Sequence, residues 1–108
     1  MYKAWGKTEL LVRTESFEAH RIEVRRGGYC SLHIHKYKYN MIRVETGTLH
    51  IDIPTMSPHV LHAGQSVTIP PGTQHRFRAH EDTIAYEFYW LGAIDPEDIV
   101  RFDQGGMS

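Results

Sequence analysis

The chain has 108 residues, with 12 Lys and Arg side chains against 13 Asp and Glu, and a formal net charge of −1 at pH 7. A chain of this length can bury one hydrophobic core but cannot hold a catalytic domain and a separate binding domain, so we expect a single domain over residues 1–108. The balanced charge gives no electrostatic basis for binding nucleic acid or a membrane surface. A small molecule is therefore the expected ligand.

Cysteine content and the N-terminal sequence bear on the compartment. Cys30 is the one cysteine, which excludes an intrachain disulfide and a thiolate zinc site and indicates a reducing compartment. The N-terminal residues contain no apolar signal core, and no run of about 18 apolar residues occurs. We predict a cytoplasmic protein in which Cys30 is a half-buried strand residue and not a reactive thiol.

Short β-branched and aromatic runs, separated by Gly, Pro and polar turns, extend from Leu10 to Trp90. No long stretch has helical periodicity, so the chain is predicted to be all-β, with a sandwich or jelly-roll barrel over residues 10–91. Residues 45–48 are predicted to form a hairpin turn. The predicted strands are Leu10–Thr14, His20–Arg25, Tyr29–His35, Asn40–Thr46, Thr48–Ile53, Gln65–Ile69, Gln74–Ala79 and Thr83–Leu91.

The two ends of the chain lack this pattern. Residues 1–9 are predicted to form an N-terminal arm. An acidic first turn with an early Pro over Asp95–Val100 predicts a short helix after the last strand. Residues 92–108 would thus comprise this helix and a flexible tail at Gln104–Ser108.

Three histidines form the strongest chemical pattern. His33 and His35 are two positions apart, so on a strand they share one face with Cα atoms roughly 6.6 Å apart. His75 follows in a Pro-Pro-Gly-Thr-Gln-His segment, on a separate predicted strand. Together they predict a mononuclear metal site with imidazole ligands. Because only neutral imidazole binds, acid should release the metal as the pH falls through the usual histidine range.

The spacing of these histidines resembles the two sequence motifs of the cupin superfamily. The first motif is matched by Gly27, His33, His35, Asn40 and Gly47, and the second by Gly64, residues 70–72 and His75. Two positions differ, because Asn40 stands where a Glu is usual and Ala79 where an Asn is usual. The resemblance implies a cupin jelly-roll barrel that holds a divalent metal ion.

A narrower resemblance covers more of the chain. Trp5-Gly6, Ser31-Leu32, residues 69–76, Glu87 and residues 97–102 look like the cupin domain of type II mannose-6-phosphate isomerases. In that group the domain is often fused behind a sugar-nucleotide transferase. The resemblance implies aldose–ketose isomerisation of a phosphosugar at a divalent metal.

Asn40 leaves two alternatives open at the metal. Its amide oxygen would be a fourth ligand, or it would hydrogen-bond a metal-bound water. In either case neutral ligands leave a divalent ion with its full charge, which strengthens its Lewis acidity and favours an anionic ligand. Zinc, iron, nickel and manganese all suit such a site.

Isomerisation also needs a base and groups that bind the substrate. Glu87 is the candidate catalytic base if its side chain faces inward, whereas a Glu in this setting is often the outward residue of an antiparallel strand. Tyr29, Tyr37 and Lys36 are candidate substrate-binding residues near the ligand segment. The alternative role of the two tyrosines is aromatic packing at the barrel rim. The alternative for Lys36, as for Lys38, is an ordinary solvated surface charge.

Three functions are compatible with this sequence. The first is a mannose-6-phosphate isomerase-like enzyme that acts on a sugar or sugar phosphate. The second is a three-histidine non-haem iron oxygenase, and the third is a non-catalytic small-molecule binding cupin. Because a small barrel has exposed sheet edges, a homodimer is also predicted, with contacts through Leu10–Thr14 or the aromatic residues near Trp90.

Overall fold

The computed structural model describes residues 1–54, 56–90 and 98–108. These ranges contain thirteen strands and no helix, so no helix able to cross a membrane is found in them. The strands are β1 (Tyr2–Lys3), β2 (Gly6–Arg13), β3 (Phe17–Val24), β4 (Gly28–Tyr29), β5 (His33–Ile34), β6 (Tyr39–Thr46), β7 (Thr48–Asp52), β8 (His59–His62), β9 (Ser66–Ile69), β10 (Arg76–Ala79), β11 (Thr83–Trp90), β12 (Val100–Arg101) and β13 (Gly106–Met107).

The strands form two main antiparallel sheets. One has the order β1-β2-β3-β11-β6-β9 and the other the order β13-β4-β10-β7-β8, while β5 and β12 form a small third sheet. The prediction of an all-β jelly-roll fold is confirmed. The sheets are not hydrogen-bonded into a closed barrel, however, so the expectation of closure was wrong for the part of the chain described.

One hydrophobic core joins the two main sheets. Alternate residues of β6 and β7 point into it, including Ile42, Val44, Leu49 and Ile51, none of which is exposed to solvent. The ring of Trp5 packs edge-on against Phe77 with centroids 4.9 Å apart. Alternation of buried and exposed side chains thus builds the core as the strand pattern predicts.

The buried rows change from apolar to polar toward one end of the sheets. Along β6 the row runs from Val44 through Ile42 to Asn40, and along β11 it runs from Ala85 to Glu87, with every member buried. On β10 the buried Phe77 is preceded by the buried His75. The same alternation that places apolar side chains in the core therefore gathers polar ones at this end.

The turn at Gly47 connects the two sheets. β6 and β7 belong to different sheets, so the predicted hairpin over residues 45–48 was wrong, although the tight turn itself is present. Gly47 has φ of 91°, and a Cβ there would lie 2.5 Å from the carbonyl oxygen of Asp82. Glycine is required both by the left-handed backbone and by this close approach.

The predicted strand Tyr29–His35 is also divided. Its ends form β4, in the five-stranded sheet, and β5, which pairs with β12. β8 and the short strands near both termini were not predicted. Residues 1–9, predicted as an arm, contain β1 and the start of β2.

The C-terminal region differs from its prediction. Residues 95–97 of the expected helix lie outside the described part of the chain, while Asp98 and Ile99 have no regular structure and Val100 pairs with Ile34 in a strand. The expected flexible tail contains β13, which pairs with β4. Strand pairing with distant residues outweighs the local helix and tail signals.

Truncating the core should reduce stability. Leu49→Ala removes a side chain with no solvent exposure, so the free energy of unfolding should fall by about 2–5 kcal/mol. The matched control is Val60→Ala on the neighbouring β8, where Val60 is 43% exposed, and its effect should be within about 0.5 kcal/mol. Urea denaturation measures both; equal losses would contradict the assigned core.

Candidate metal centre

Backbone pairing brings two ligand segments together. The N–H of His33 donates to the carbonyl of His75 at 3.0 Å, and the N–H of His75 donates back at 2.9 Å. The turn before His75 is tied to the third histidine, because the N–H of Gly72 donates to the carbonyl of His35 at 2.8 Å. The donor atoms of the three rings lie within 4.8 Å of one another. A zinc ion bound by all three rings, with metal–nitrogen distances of about 2.0–2.1 Å, would need only a small inward movement of the rings.

Each imidazole is oriented by its Nδ1 atom. Nδ1–H donates to a backbone carbonyl in all three rings, from His33 to Ser31 at 2.7 Å, from His35 to Asp98 at 2.9 Å and from His75 to Thr73 at 2.8 Å. This tautomer leaves the Nε2 lone pair free for a metal.

Buried ring nitrogens without hydrogen-bond partners indicate that the three rings bind a group between them. Nε2 of His35 and Nε2 of His75 are buried with no hydrogen-bond partner among the described residues. Leaving such atoms unpaired costs about 1–3 kcal/mol each, and a bound cation would remove that cost. The residues therefore fit a metal ion, and the three histidines are positioned to hold one.

The side chain of Asn40 also has a buried polar atom without a hydrogen-bond partner. It is 1% exposed, its Nδ2 donates to the carbonyl of Phe88 at 3.5 Å, and its Oδ1 has no hydrogen-bond partner in the described part of the chain. Its register partner Tyr89 contacts the His35 ring with centroids 5.1 Å apart. An unpaired buried amide oxygen is compatible with both alternatives, direct ligation and a hydrogen bond to a metal-bound water.

Burial sets the charge state of the triad. Burial, followed by the nearby His75 and His35, lowers the pKa of His33 to about 3. Burial likewise lowers the pKa of His35 to about 4 and lowers the pKa of His75. His33 and His35 are thus neutral, as metal binding requires, at pH values well below the usual histidine range.

Asp98 supports the ligand loop, a role that the sequence analysis did not identify. Its carboxylate accepts hydrogen bonds from the backbone N–H groups of Lys36 at 2.8 Å and Tyr37 at 3.1 Å, while its carbonyl holds His35. Asp98 is 5% exposed. Its place in the sequence suggested a helix, and no local pattern marks it as a partner of the ligand segment.

The metal centre adjoins a cavity of about 530 Å³ whose lining includes His33, His35 and Glu87. Glu87 faces inward and is 8% exposed. The hydroxyl of Tyr89 donates to Oε2 of Glu87 at 2.6 Å. Burial, together with the Glu87 charge, raises the pKa of Tyr89 well above its usual value, so the phenol stays protonated as a donor.

The other predicted substrate-binding residues lie elsewhere. Lys36 is exposed, Tyr37 is 67% exposed, and Tyr29 lies beneath the Arg76 guanidinium, 5.5 Å from its ring centroid. None of Lys36, Tyr37 and Tyr29 lines the cavity. Lys38 does line it, is 5% exposed and places Nζ 4.3 Å from the centroid of the Tyr89 ring.

A second polar group on the cavity wall was missed. Arg13, Glu18 and His20 all line the cavity, and Glu18 forms an ion pair with Arg13 and a hydrogen bond with His20. Burial raises the pKa of Glu18, but hydrogen bonds with Arg13 and then His20 outweigh it, and the net pKa is lowered. No motif surrounds His20 in the sequence, but it shares strand parity with the buried Ile22, and this parity is a signal that could have identified it.

Removing a ligand should abolish metal binding. His75→Ala should weaken metal affinity by at least about 100-fold, because loss of a group that merely orients a ligand already weakens it by up to about that factor. His80→Ala, at an exposed position, is the matched control and should keep one ion per chain. Elemental analysis of both purified variants gives the answer; equal metal contents would contradict the site.

Acid should destabilise the metal-free protein. Unfolded histidines titrate near pH 6.5, whereas His33 and His35 in the folded state have pKa values of about 3 and about 4. Between these values the unfolded chain binds more protons, so stability is full above pH 6.5 and is lost as the pH falls toward 4. Urea denaturation of chelator-treated protein at several pH values should show this slope. A flat profile would contradict it.

Comparison with known proteins identifies the family of this chain. Residues 20–92 match the cupin domain family. Protein SchB of Streptomyces halstedii is 36% identical over 73 residues, which cover 68% of this chain and 52% of SchB. Mannose-1-phosphate guanylyltransferase of Escherichia coli is 29% identical over 75 residues, 69% of this chain and 16% of that enzyme. The chain thus spans about half of SchB and a small part of the transferase.

Solved structures share the fold at lower identity. A conserved protein with a double-stranded β-helix domain from Klebsiella pneumoniae has a TM-score of 0.78 at 15% identity, covering 92% of this chain and 85% of that one. KdgF from Halomonas has a TM-score of 0.72 at 19% identity, covering 79% of each chain. With the family match, the motif spacing and the three convergent imidazoles, this chain belongs to the cupin family.

Proposed function

We propose that this cupin is a metal-dependent aldose–ketose isomerase that acts on a sugar or sugar phosphate, as in the mannose-6-phosphate isomerase branch. The observation that carries the proposal is the buried carboxylate of Glu87, oriented by Tyr89 at 2.6 Å in the cavity that His33 and His35 line. A base in a pocket beside a Lewis-acid site is what proton transfer next to a carbonyl requires.

The ligand set would be His33, His35 and His75, with Oδ1 of Asn40 as the fourth donor. A divalent ion held there would supply Lewis-acid polarisation of the substrate carbonyl. The unpaired Nε2 and Oδ1 atoms support this assignment. Asp98 acts as a positioning residue, because it orients His35 and fixes the loop that follows it.

Glu87 would move the proton between adjacent carbons of the substrate. One oxygen, Oε2, accepts the hydrogen bond from Tyr89. The other, Oε1, would take the proton from the carbon next to the carbonyl and return it to the carbonyl carbon, while the hydroxyl proton of the first carbon would move to the former carbonyl oxygen, so that the carbonyl changes place. Glu87 is 8% exposed, and its hydrogen bond with Tyr89 fixes one of its carboxylate oxygens. The phenol of Tyr89 stays protonated and serves as the orienting donor.

Four cationic side chains lie on the cavity wall. Lys3, Arg13, Lys38 and Arg101 line the cavity, against two carboxylates, Glu18 and Glu87. Arg43, Arg76 and Arg78 do not line the cavity. The excess of cations supports a phosphate-bearing substrate, as does the relative named for mannose-1-phosphate chemistry.

An iron oxygenase is the second candidate. It is favoured by the donor set, because the cluster of His33, His35 and His75 includes no carboxylate among the residues the structure describes. Neutral ligands leave the ion with its full charge for an anionic substrate. Iron in the purified protein together with substrate-dependent oxygen consumption would favour this function over isomerisation.

Replacing the base should stop turnover. With the native metal restored, Glu87→Gln should lower kcat for conversion of mannose 6-phosphate to fructose 6-phosphate by on the order of 100- to 10,000-fold, with little change in KM. Glu81→Gln, an exposed position, is the control and should remain active.

Two results would redirect the proposal. Wild-type protein that binds mannose 6-phosphate without converting it would be a binding cupin. Full activity in Glu87→Gln would exclude Glu87 as the base while leaving the isomerase in place.

A further inference from the structure

Two short rows of polar residues lie side by side on the cavity wall. Glu18 and His20 form the row on β3, and Glu87 and Tyr89 form the row on β11; all four line the cavity. The strand register sets Glu18 opposite Tyr89 and His20 opposite Glu87. Residues directly opposite one another have Cβ atoms about 4.5–5.5 Å apart, so His20 lies beside the proposed base.

A buried carboxylate orients the imidazole of His20. Glu18 is 4% exposed, and both of its oxygens accept hydrogen bonds from the Arg13 guanidinium at 3.3 Å. Burial alone would raise the pKa of Glu18, but the hydrogen bonds with Arg13 and His20 lower it overall, so the group is ionised. Because a carboxylate only accepts hydrogen bonds, Nε2–H of His20 is the donor in the bond to Oε1 of Glu18.

The other ring nitrogen of His20 is open to a ligand. When Nε2 carries the hydrogen, neutral imidazole has its lone pair on Nδ1. Within residues 1–54, 56–90 and 98–108, Nδ1 of His20 has no hydrogen-bond partner, yet it is accessible to solvent and not a buried unpaired atom. The side chain is 19% exposed, and its ring contacts that of Tyr89 with centroids 5.8 Å apart. His20 therefore brings an oriented proton acceptor to the cavity.

Three neighbouring cavity residues are unsuited to accepting and releasing a proton. The hydroxyl of Tyr89 already donates to Glu87, and burial together with the Glu87 charge raises the pKa of Tyr89 well above its usual value. Burial also raises the pKa of Cys30, so the thiol stays protonated. The guanidinium of Arg13 has no lone pair to accept a proton and does not release one in proteins. Compared with these three, His20 alone can do both.

We propose that His20 is a second catalytic residue, which moves the hydroxyl proton of the substrate from one oxygen to the other, with Glu18 as its positioning residue. This inference rests on the isomerase function proposed above. The two oxygens are bonded to the two carbons between which Glu87 moves its proton, so the group that serves them must lie next to Glu87. While Glu87 holds the proton from carbon, a separate base is needed for the proton from oxygen.

The electrons and protons balance in this scheme. Glu87 takes the proton from the carbon next to the carbonyl, the pair from that bond forms a double bond between the two carbons, and the carbonyl π pair moves to its oxygen. Nδ1 of His20 takes the hydroxyl proton and passes it to that oxygen. The pair from the broken O–H bond forms the new carbonyl, and the carbon–carbon π pair takes the proton back from Glu87. Both side chains end as they began.

The tautomer of His20 can be tested without any enzymatic activity. Proton–nitrogen NMR of the imidazole rings, at a pH above the usual histidine range, should show a protonated Nε2 and an unprotonated Nδ1 for His20. Glu18→Met keeps a side chain of similar length but removes the acceptor, so His20 should then populate both tautomers. A wild-type His20 protonated on Nδ1, or an unchanged single tautomer in Glu18→Met, would contradict the role of Glu18 and overturn the proposal.

Isotope exchange separates the two proton transfers. The probe is mannose 6-phosphate with deuterium on the carbon next to its carbonyl, incubated with the metal-replete protein in ordinary water. His20→Gln should lower kcat for fructose 6-phosphate formation by on the order of 100-fold, whereas Glu87 still removes deuterium and exchanges it with water. The ratio of label lost from remaining substrate to product formed should therefore rise at least about 10-fold. Glu87→Gln should lose label exchange and product formation together.

Controls and outcomes distinguish this inference from the proposed function. His20→Gln should keep the metal content and circular dichroism of the wild type, because His20 is not a ligand. His62→Gln, at an exposed position outside the cavity lining, should behave as wild type. Wild-type conversion by His20→Gln, a parallel loss of exchange and conversion, or loss of its metal ion would overturn the role of His20 alone. A wild-type protein that neither exchanges the label nor forms product would overturn both proposals.

Discussion

The reciprocal backbone pairing of His33 and His75 is the constraint on which the site depends. Two hydrogen bonds, at 3.0 and 2.9 Å, join segments from distant parts of the sequence and set two ligand rings beside each other. Gly72, with φ of 79°, extends the same contact to the carbonyl of His35. Backbone pairing thus sets the positions of the ligand segments, and the Nδ1 hydrogen bonds orient the imidazole rings.

Burial at this centre opposes stability unless the site has an occupant. Three neutral imidazoles and the Asn40 amide lie in the interior, and three of their polar atoms have no hydrogen-bond partner among the described residues. Proteins rarely leave such atoms unpaired. Function and stability are therefore coupled, because the arrangement that prepares the ligands for a cation is unfavourable without one.

Local patterns in the sequence were sufficient for the ligand triad and for most of the core. Alternation along a strand predicts that His33 and His35 share one face, and that Asn40 and Ile42 do so on their own strand. This prediction needs only residues that are close in the sequence. The crossover at Gly47 could not be distinguished from a hairpin, because the same turn residues serve both. Whether the barrel closes could likewise not be predicted from local sequence patterns, because closure depends on which strand edges hydrogen-bond to one another.

The supporting residues depend on contacts between distant segments. Asp98 holds His35, Arg13 reaches the cavity from β2, and β13 pairs with β4, so both ends of the chain complete a site whose ligands lie in the middle. The burial of Lys36 and Lys38 could not be predicted from the sequence either, because the two lysines lie in one loop while Lys36 is exposed and Lys38 is buried. Strand parity does offer a usable signal for His20, which lies in register with Glu87.

X-ray absorption spectroscopy at the edge of the native metal tests the central claim most directly. The account predicts three imidazole nitrogens in the first coordination shell, at about 2.0–2.1 Å for zinc, with one further light oxygen donor attributable to Asn40 or to solvent. A shell with fewer than three imidazoles, or one containing the sulfur of Cys30, would contradict the site proposed for this protein.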